Sequence, residues 1–329
     1  MAAVQRGTGL DRRYVISIRR RTGLGDHLIC LAAAWRFARD TGRTLVADWR
    51  FSSYTLMRND NLFPLCFEAP DELAGVPFIG GPDVGAVSPQ RADGTLGFAP
   101  FWRWNDLRRI PYRRALAHIE AGRDFATRKV VFDNCLNHAV TSVADAATLF
   151  RALKPVASAA DALAAFRAAM PPGPLIGLHM RHGNGARIPG YQDHWASFPR
   201  AIERCVKAIE EARRLLGGQA TVLLCSDYAP AEEAISARIG DVATRHKMRR
   251  EAGEGEQHLW RGAPFMRDDA LIEMLMLGQC DALIRYPPGS FFSLYGAVLK
   301  PSRQPLPAHM QALQQPWDPA DGLSPALLV

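Results

Sequence analysis

The chain has 329 residues, enough for two domains with sizeable cores, which excludes the small scaffolds that depend on disulfides or a structural metal. Hydrophobic residues make up 48% and charged residues 22%, with 27 glycines and 23 prolines, so collagen, coiled coil and wholesale disorder are excluded as well. The 40 lysines and arginines against 33 aspartates and glutamates leave a formal charge of +7, which favours an anionic ligand without saying which one.

No uncharged run reaches the roughly 18 residues that a bilayer span needs, and the opening MAAVQRGTGLDRRYV lacks the apolar core of a secretory signal. The expectation is a cytoplasmic protein with no transmembrane segment. Cys30, Cys66, Cys135, Cys205, Cys225 and Cys280 are widely spaced in apolar stretches with no C-x-x-C pair, and read as buried, reduced thiols.

In chain order, an apolar run from Tyr14 to Ile18, a basic glycine-containing turn, helical spacing from Asp26 to Arg39, Gly42 at a helix C-cap and the β-branched run Thr44 to Ala47 make a βαβ unit. Residues 51–128 read as irregular, and a long loop of that kind carries function or partner contacts. Val130 to Phe132 reads as a strand, Ala144 to Lys154 and Ala159 to Ala169 as helices. The proline-dense Met170-Pro171-Pro172-Gly173-Pro174 marks a domain break, so residues 1–170 form a first domain. Residues 171–300 then alternate strand Leu175 to Met180, helix Phe198 to Leu216, strand Thr221 to Cys225, helix Ala231 to Ile239, strand Val242 to Ala243, helix Asp268 to Leu277, strand Ala282 to Arg285 and helix Phe291 to Leu299. Such alternation predicts an α/β parallel sheet whose ligands lie beyond the carboxyl ends of the strands, just after Met180, Cys225 and Arg285. Residues 301–329 carry six prolines and are expected to pack back on the body, against the first domain.

The densest chemical signal is Ile176 to Gly185, IGLHMRHGNG, a strand running out into basic residues and a glycine turn. Alternate side chains share a strand face, so His179 and Arg181 project together. A guanidinium forks onto phosphate oxygens, and Gly183 and Gly185 let backbone approach a ligand closely. The alternative is an Arg181 paired with a carboxylate and a His179 satisfied inside the core. Asp227 after the next strand either caps the following helix, where Pro230, Glu232 and Glu233 mark a start, or holds a ligand hydroxyl or base. Ser290 and the helix start near Phe291 offer a hydroxyl and orphan N–H groups to a phosphate, or cap the helix, or both. Glu273 sits among Leu271, Ile272, Met274 and Leu275; unless it faces solvent it needs a partner, which the N1 and N2 hydrogens of guanine would supply.

Other features are weaker. Phe98, Phe101, Trp102 and Trp104 could stack a sugar or form a satellite core. Gly23-x-Gly25-Asp26 with Asp48 partly imitates a dinucleotide fingerprint, but Leu28 occupies the third glycine position and the Asp26 carboxylate would repel a pyrophosphate, so turn and helix cap is the better reading. The basic strings Arg108, Arg109, Arg113 and Arg114, and Arg245 to Arg250, read as solvated faces; with no nucleic-acid-binding motif beside them, no nucleic acid is expected as a partner.

The sequence resembles the rhizobial nodulation fucosyltransferases (NodZ) and, more distantly, the eukaryotic α1,6-fucosyltransferases and protein O-fucosyltransferases. The resemblance is carried by Arg20 to Asp26, Thr41 to Val46 with Asp48-Trp49-Arg50, Ile176 to Gly185, Cys225-Ser226-Asp227, and Ile284 to Tyr295. It implies two Rossmann-like domains in a GT-B-like arrangement, an acceptor-side domain before a GDP-sugar-binding one, and GDP-fucose bound without a metal or other cofactor. By the same resemblance Arg181 takes the β-phosphate, His179 the guanine and Ser290, with Phe291 beside it, the phosphates, while His182 and Asn184 lie near the fucose and leaving group. Two departures stand out: relatives have aspartate where this chain has Glu273, and the acids that follow the glycine turn in relatives are Ala186 and Arg187 here. Asp193 and His194 are the substitutes for a general base, and Trp102 and Trp104 the candidates for acceptor contact.

The leading expectation is an inverting fucosyltransferase acting on C6 of N-acetylglucosamine in a chitooligosaccharide. Its alternatives are a GDP-sugar transferase acting on a protein or surface polysaccharide, an NAD(P)-dependent oxidoreductase, and a glycan-binding protein that has lost turnover.

Overall fold

The computed structural model describes residues 13–19, 22–90, 101–103, 121, 123–124, 128–133, 141–181, 198–240, 242–248, 262–286, 290–299 and 326–328. They group into two compact units, one of Met1–Arg20, His27–Ser52 and Met57–Lys154, the other of Arg21–Asp26, Ser53–Leu56 and Pro155–Val329.

The first unit is built on β1 (Tyr14–Ile18), α1 (Leu24–Thr41) and β2 (Thr44–Asp48), the βαβ unit expected from the hydrophobic pattern. Every residue of β1 is buried, as a central parallel strand covered on both faces requires. Gly42 after α1 has φ 65°, the left-handed helix exit that glycine adopts without strain. The sheet continues through β3 (Glu72–Leu73), β4 (Val76–Ile79), β5 (Phe101–Arg103) and β6 (Lys129–Phe132) in the order β3-β4-β2-β1-β6-β5, with only β3 antiparallel to its neighbour. The stretch expected to be irregular therefore supplies strands, together with the single-turn helices α2 (Phe63–Cys66) and α3 (Val84–Val87). Its hairpin was hidden because Ala74 and Gly75 turn at φ 48° and 79°, and alanine gives no sign of a left-handed turn. α4 (Val143–Ala152) follows, capped by the Ser142 hydroxyl, which accepts from the Asp145 N–H.

Polar side chains fix the loops beyond β2. Arg50 forks onto Asp48 with Nε–Oδ1 2.8 Å and Nη2–Oδ2 2.9 Å, and Nη2 also donates to the Gln90 carbonyl. Asn61 accepts from the Trp49 N–H at 2.8 Å and donates to the carbonyls of Ala47 and Gly80. The Asp48-Trp49-Arg50 motif thus serves as an internal brace.

The second unit contains α5 (Ala157–Ala168), β7 (Leu175–Met180), α6 (Phe198–Leu215), β8 (Thr221–Ser226), α7 (Ala229–Ile239), β9 (Val242–Thr244), α8 (Arg267–Gln279), β10 (Ala282–Tyr286), α9 (Leu294–Leu299) and β11 (Ala326–Leu328). Its sheet has the order β11-β10-β7-β8-β9, all parallel except β11. One face packs Leu178, Met180, Leu224 and Ile284 under α6 and α7. The opposite face meets α8 so closely that a Cβ on Gly177 would stand 2.8 Å from Cys280 Sγ and 2.9 Å from Leu277 Cδ2.

Contacts divide the chain at Lys154/Pro155, ahead of the proline-rich segment, because α5 packs on α8 of the second unit. The described end of the tail, Ala326–Leu328, pairs antiparallel with β10 of the second unit. Cys30, Cys66, Cys205, Cys225 and Cys280 are free and buried, while Cys135 lies outside the described residues. Among the described residues no helix is long and apolar enough to cross a membrane.

α9 rests on α8 through Gly296, where a Cβ would lie 2.8 Å from the backbone C and O of Leu277. Backbone cannot step aside as a side-chain tip can, so Gly296→Ala is expected to lower unfolding free energy by about 1–3 kcal/mol in urea titration.

Candidate functional site

β7 stands at the point where the sheet order reverses: the chain runs outward through β8 and β9 on one side and returns to β10 on the other. At such a point the connections leave in opposite directions, opening a crevice at the carboxyl ends of the two central strands. The residues at those ends are His179 and Met180 on β7, with Arg181 just after it, and Arg285 and Tyr286 on β10, and the register places His179 opposite Arg285. The Arg181 N–H donates to the Tyr286 carbonyl at 2.8 Å, so the ladder holds Arg181 at the crevice mouth, where its side chain is half-buried.

Behind that mouth lies a buried polar chain. His179 is 6% exposed, its Nδ1 is 3.1 Å from Ser293 Oγ, and its ring lies 5.0 Å from that of Phe292. Arg285, 3% exposed, donates from Nε to Ser293 Oγ at 3.0 Å and from Nη2 to the Ser290 carbonyl at 2.7 Å. It forms no ion pair among the described residues. Burial lowers the Arg285 pKa to about 10, which leaves it charged at neutral pH. Burial, aided by the positive charges of Arg181, Arg285 and Lys247, holds His179 well below the usual 6.5, so the imidazole is neutral.

Ser290 adds a second polar group. Its hydroxyl is buried and makes no hydrogen bond among the described residues, so it does not cap the helix that follows. That helix begins at Leu294, after a turn through Phe291, whose side chain is half-buried. Asp227 follows β8, but the helix after it starts from Tyr228 with no side-chain cap; the turn is held by the Ser226 hydroxyl, which accepts from the Tyr228 N–H at 3.1 Å. Glu273 is buried, 4% exposed, and is ion-paired with Lys247. Lys247 corrects an expectation, since the string Arg245 to Arg250 was read as solvated. Its side chain is 7% exposed, and Arg245 pairs with Asp269 at 2.7 Å. The Cys225 thiol, opposite His179 on β8, is pushed well up by burial and is no nucleophile.

Residues 21–26 belong to the second unit. There a Cβ on Gly25 would stand 2.4 Å from the Phe291 carbonyl oxygen, so glycine serves close backbone approach, and the Asp26 N–H donates to the Gly23 carbonyl at 3.0 Å as in a turn. His182, Gly183, Asn184, Asp193, His194 and Trp104 lie outside the described residues, and Trp102 is described only by its backbone in β5. Among the described residues no group of three or more His, Cys, Asp and Glu side chains is placed to hold a metal ion.

The structure therefore brings His179, Arg181 and Ser290 to one crevice with Arg285, named from sequence only as the end of a strand, and adds Ser293 and Lys247, which sequence reasoning did not single out as site residues. Arg285 had left a signal: it is the one charged residue in the buried strand ALIRY.

Two Rossmann-like α/β units in one chain, with a cation-lined crevice at a strand switch point, are the build of a GT-B glycosyltransferase. The family model described as Nodulation protein Z (NodZ) matches residues 11–304. Nodulation protein Z of Bradyrhizobium diazoefficiens is 36% identical over 302 residues, covering 88% of this chain and 80% of that protein. A crystal structure of NodZ alpha-1,6-fucosyltransferase co-crystallized with GDP superposes with a TM-score of 0.69 at 30% identity, over 88% of this chain and 93% of that one. Another, of NodZ alpha-1,6-fucosyltransferase soaked with GDP-fucose, gives 0.67 at 30% identity with the same coverage. The chain belongs to the nodulation protein Z family.

Two measurements follow from the buried charges. In the unfolded chain His179 takes up its proton near 6.5, in the folded one only well below, so the unfolded state binds more protons as the pH falls through that value and stability drops. The urea midpoint is expected to fall more steeply between about pH 7 and 5 in the wild type than in His179→Gln. Lys247→Met removes the ammonium that compensates Glu273 and is expected to cost about 3–5 kcal/mol in the same titration, with much of that recovered in Lys247→Met/Glu273→Leu.

Proposed function

We propose that this chain, a fucosyltransferase, moves L-fucose from GDP-β-L-fucose to a glycan hydroxyl with inversion at C1, and that the donor lies at the carboxyl end of the second sheet. The observation that carries the reading is Arg181 fixed at the mouth of a cationic switch-point crevice, with the buried Ser290 hydroxyl near its base making no hydrogen bond among the described residues. Family relatives described with GDP and GDP-fucose supply the ligand class.

In this reading the acceptor is C6 of N-acetylglucosamine in a chitooligosaccharide, and its hydroxyl attacks C1 as the bond to the β-phosphate breaks. Negative charge grows on the departing phosphate oxygens, and a guanidinium already in place stabilises that charge more in the transition state than in the ground state. Arg181 takes this role, the Ser290 hydroxyl and the Phe291 backbone hold the diphosphate, and His179 and Glu273 meet the guanine, with Asp227 on the ribose or base. Gly183 gives the backbone room, and His182 and Asn184 stand by the fucose. Positive charge at the leaving group comes from Arg181, so no metal is required, and the units divide as acceptor side first and donor side second. The protein works in the cytoplasm.

Arg181→Ala is expected to lower kcat by about 100-fold or more while the acceptor KM changes little, measured as fucose transfer to chitooligosaccharides. Rates near wild type overturn the assignment. Stabilisation against heat by GDP but not NAD(P), and transfer that survives a chelator, are the accompanying outcomes; their reverse returns the oxidoreductase or a metal-dependent reaction.

A further inference from the structure

The hydrogen bonds around Ser293 can be followed proton by proton. A guanidinium only donates, so Ser293 Oγ must accept from Arg285 Nε, 3.0 Å away. The hydroxyl then has one proton to give and two acceptors in reach: His179 Nδ1 at 3.1 Å and the Ser290 carbonyl at 3.4 Å. That carbonyl already accepts from Arg285 Nη2 at 2.7 Å, and 3.4 Å is long for an O–H donor. The shorter contact favours giving the proton to Nδ1. A neutral imidazole that accepts at Nδ1 carries its own proton on Nε2, the nitrogen that makes no hydrogen bond among the described residues.

We infer that Ser293 and Arg285 are positioning residues that lock His179 as the Nε2–H tautomer, so that the crevice offers a fixed N–H donor to the 6-carbonyl of the nucleotide's base. The inference rests on the reading of this crevice as the GDP-sugar site and deepens it. Ser293 is fully buried and cannot touch a ligand itself; its effect passes through the ring. A purine with a carbonyl at position 6 accepts from Nε2–H, whereas a 6-amino purine meets donor with donor, so the relay selects guanine over adenine. The discrimination comes from a polar group left unpaired by the wrong base, which is the more selective kind.

The test is calorimetric titration of wild type, Ser293→Ala and Ser293→Thr with GDP and with ADP. Ser293→Ala is expected to lose about tenfold of the GDP-over-ADP preference, and Ser293→Thr, which keeps the hydroxyl, to retain it. A purely structural role for Ser293 weakens both nucleotides alike and leaves the ratio unchanged, which overturns the inference. Nitrogen-15 spectra of labelled histidine in the wild type read the tautomer directly and need no variant to fold: a protonated Nε2 with a bare Nδ1 supports it, and the opposite pattern sinks it. Failure of the wild type to bind GDP at all strikes the reading of the site, an outcome distinct from an unchanged ratio with GDP bound.

Discussion

The second unit holds a cation taken out of water with no carboxylate to meet it among the described residues. Arg285 gives its hydrogen bonds to the Ser293 hydroxyl and the Ser290 carbonyl, and neither brings a compensating charge. Removing a guanidinium from water costs several kcal/mol, and a chain that retains such a group needs something to offset the cost. Part is met by the dipoles of the Ser290–Ser293 turn. An anion arriving at the crevice mouth would meet the rest. His179 registers the same field, since burial and, after it, three cations keep its imidazole uncharged.

The position of that cation follows from topology. In a sheet ordered β11-β10-β7-β8-β9, β7 and β10 are the pair whose connections diverge, and the register sets His179 against Arg285 across that pair. The pleat then sends both side chains to the face away from the apolar core under α6 and α7, while Leu178 and Ile284 fill that core. Packing and polar chemistry are thus segregated by the period of the strands, and neither compromises the other. The first unit uses buried charge differently. Asp48 and Arg50 satisfy each other within a single turn of chain and brace the loops beyond β2.

Much of this was legible in the sequence where one principle acted alone. The strand from Leu175 to Met180 was readable because a strand buried on both faces is a continuous apolar run, and the helix from Phe198 because its polar and apolar residues alternate at helical spacing. Asp227 and Ser290 both looked like helix caps, and neither serves as one. Cap propensity says what a side chain can do locally and not whether a turn has another way to close, as the Ser226 hydroxyl provides before α7. Lys247 was misread for a related reason. A basic string reads as solvated until an isolated carboxylate elsewhere, here Glu273 on an otherwise apolar helix, is recognised as its counterpart. Arg285 was seen only as the end of a strand and Ser293 not at all, because the hydrogen bonds that join them reach as far as His179, 114 residues from Ser293 in sequence.

The pairing of Ala326–Leu328 with Leu283–Arg285 makes β10 an interior strand. If those three residues peeled away, β10 would become a rim whose N–H and C=O groups invite pairing from another copy, and that rim would carry the guanidinium the crevice is built around. Self-association and damage to the proposed donor site would then share a single origin, in a segment remote in sequence from the residues proposed to meet the ligand.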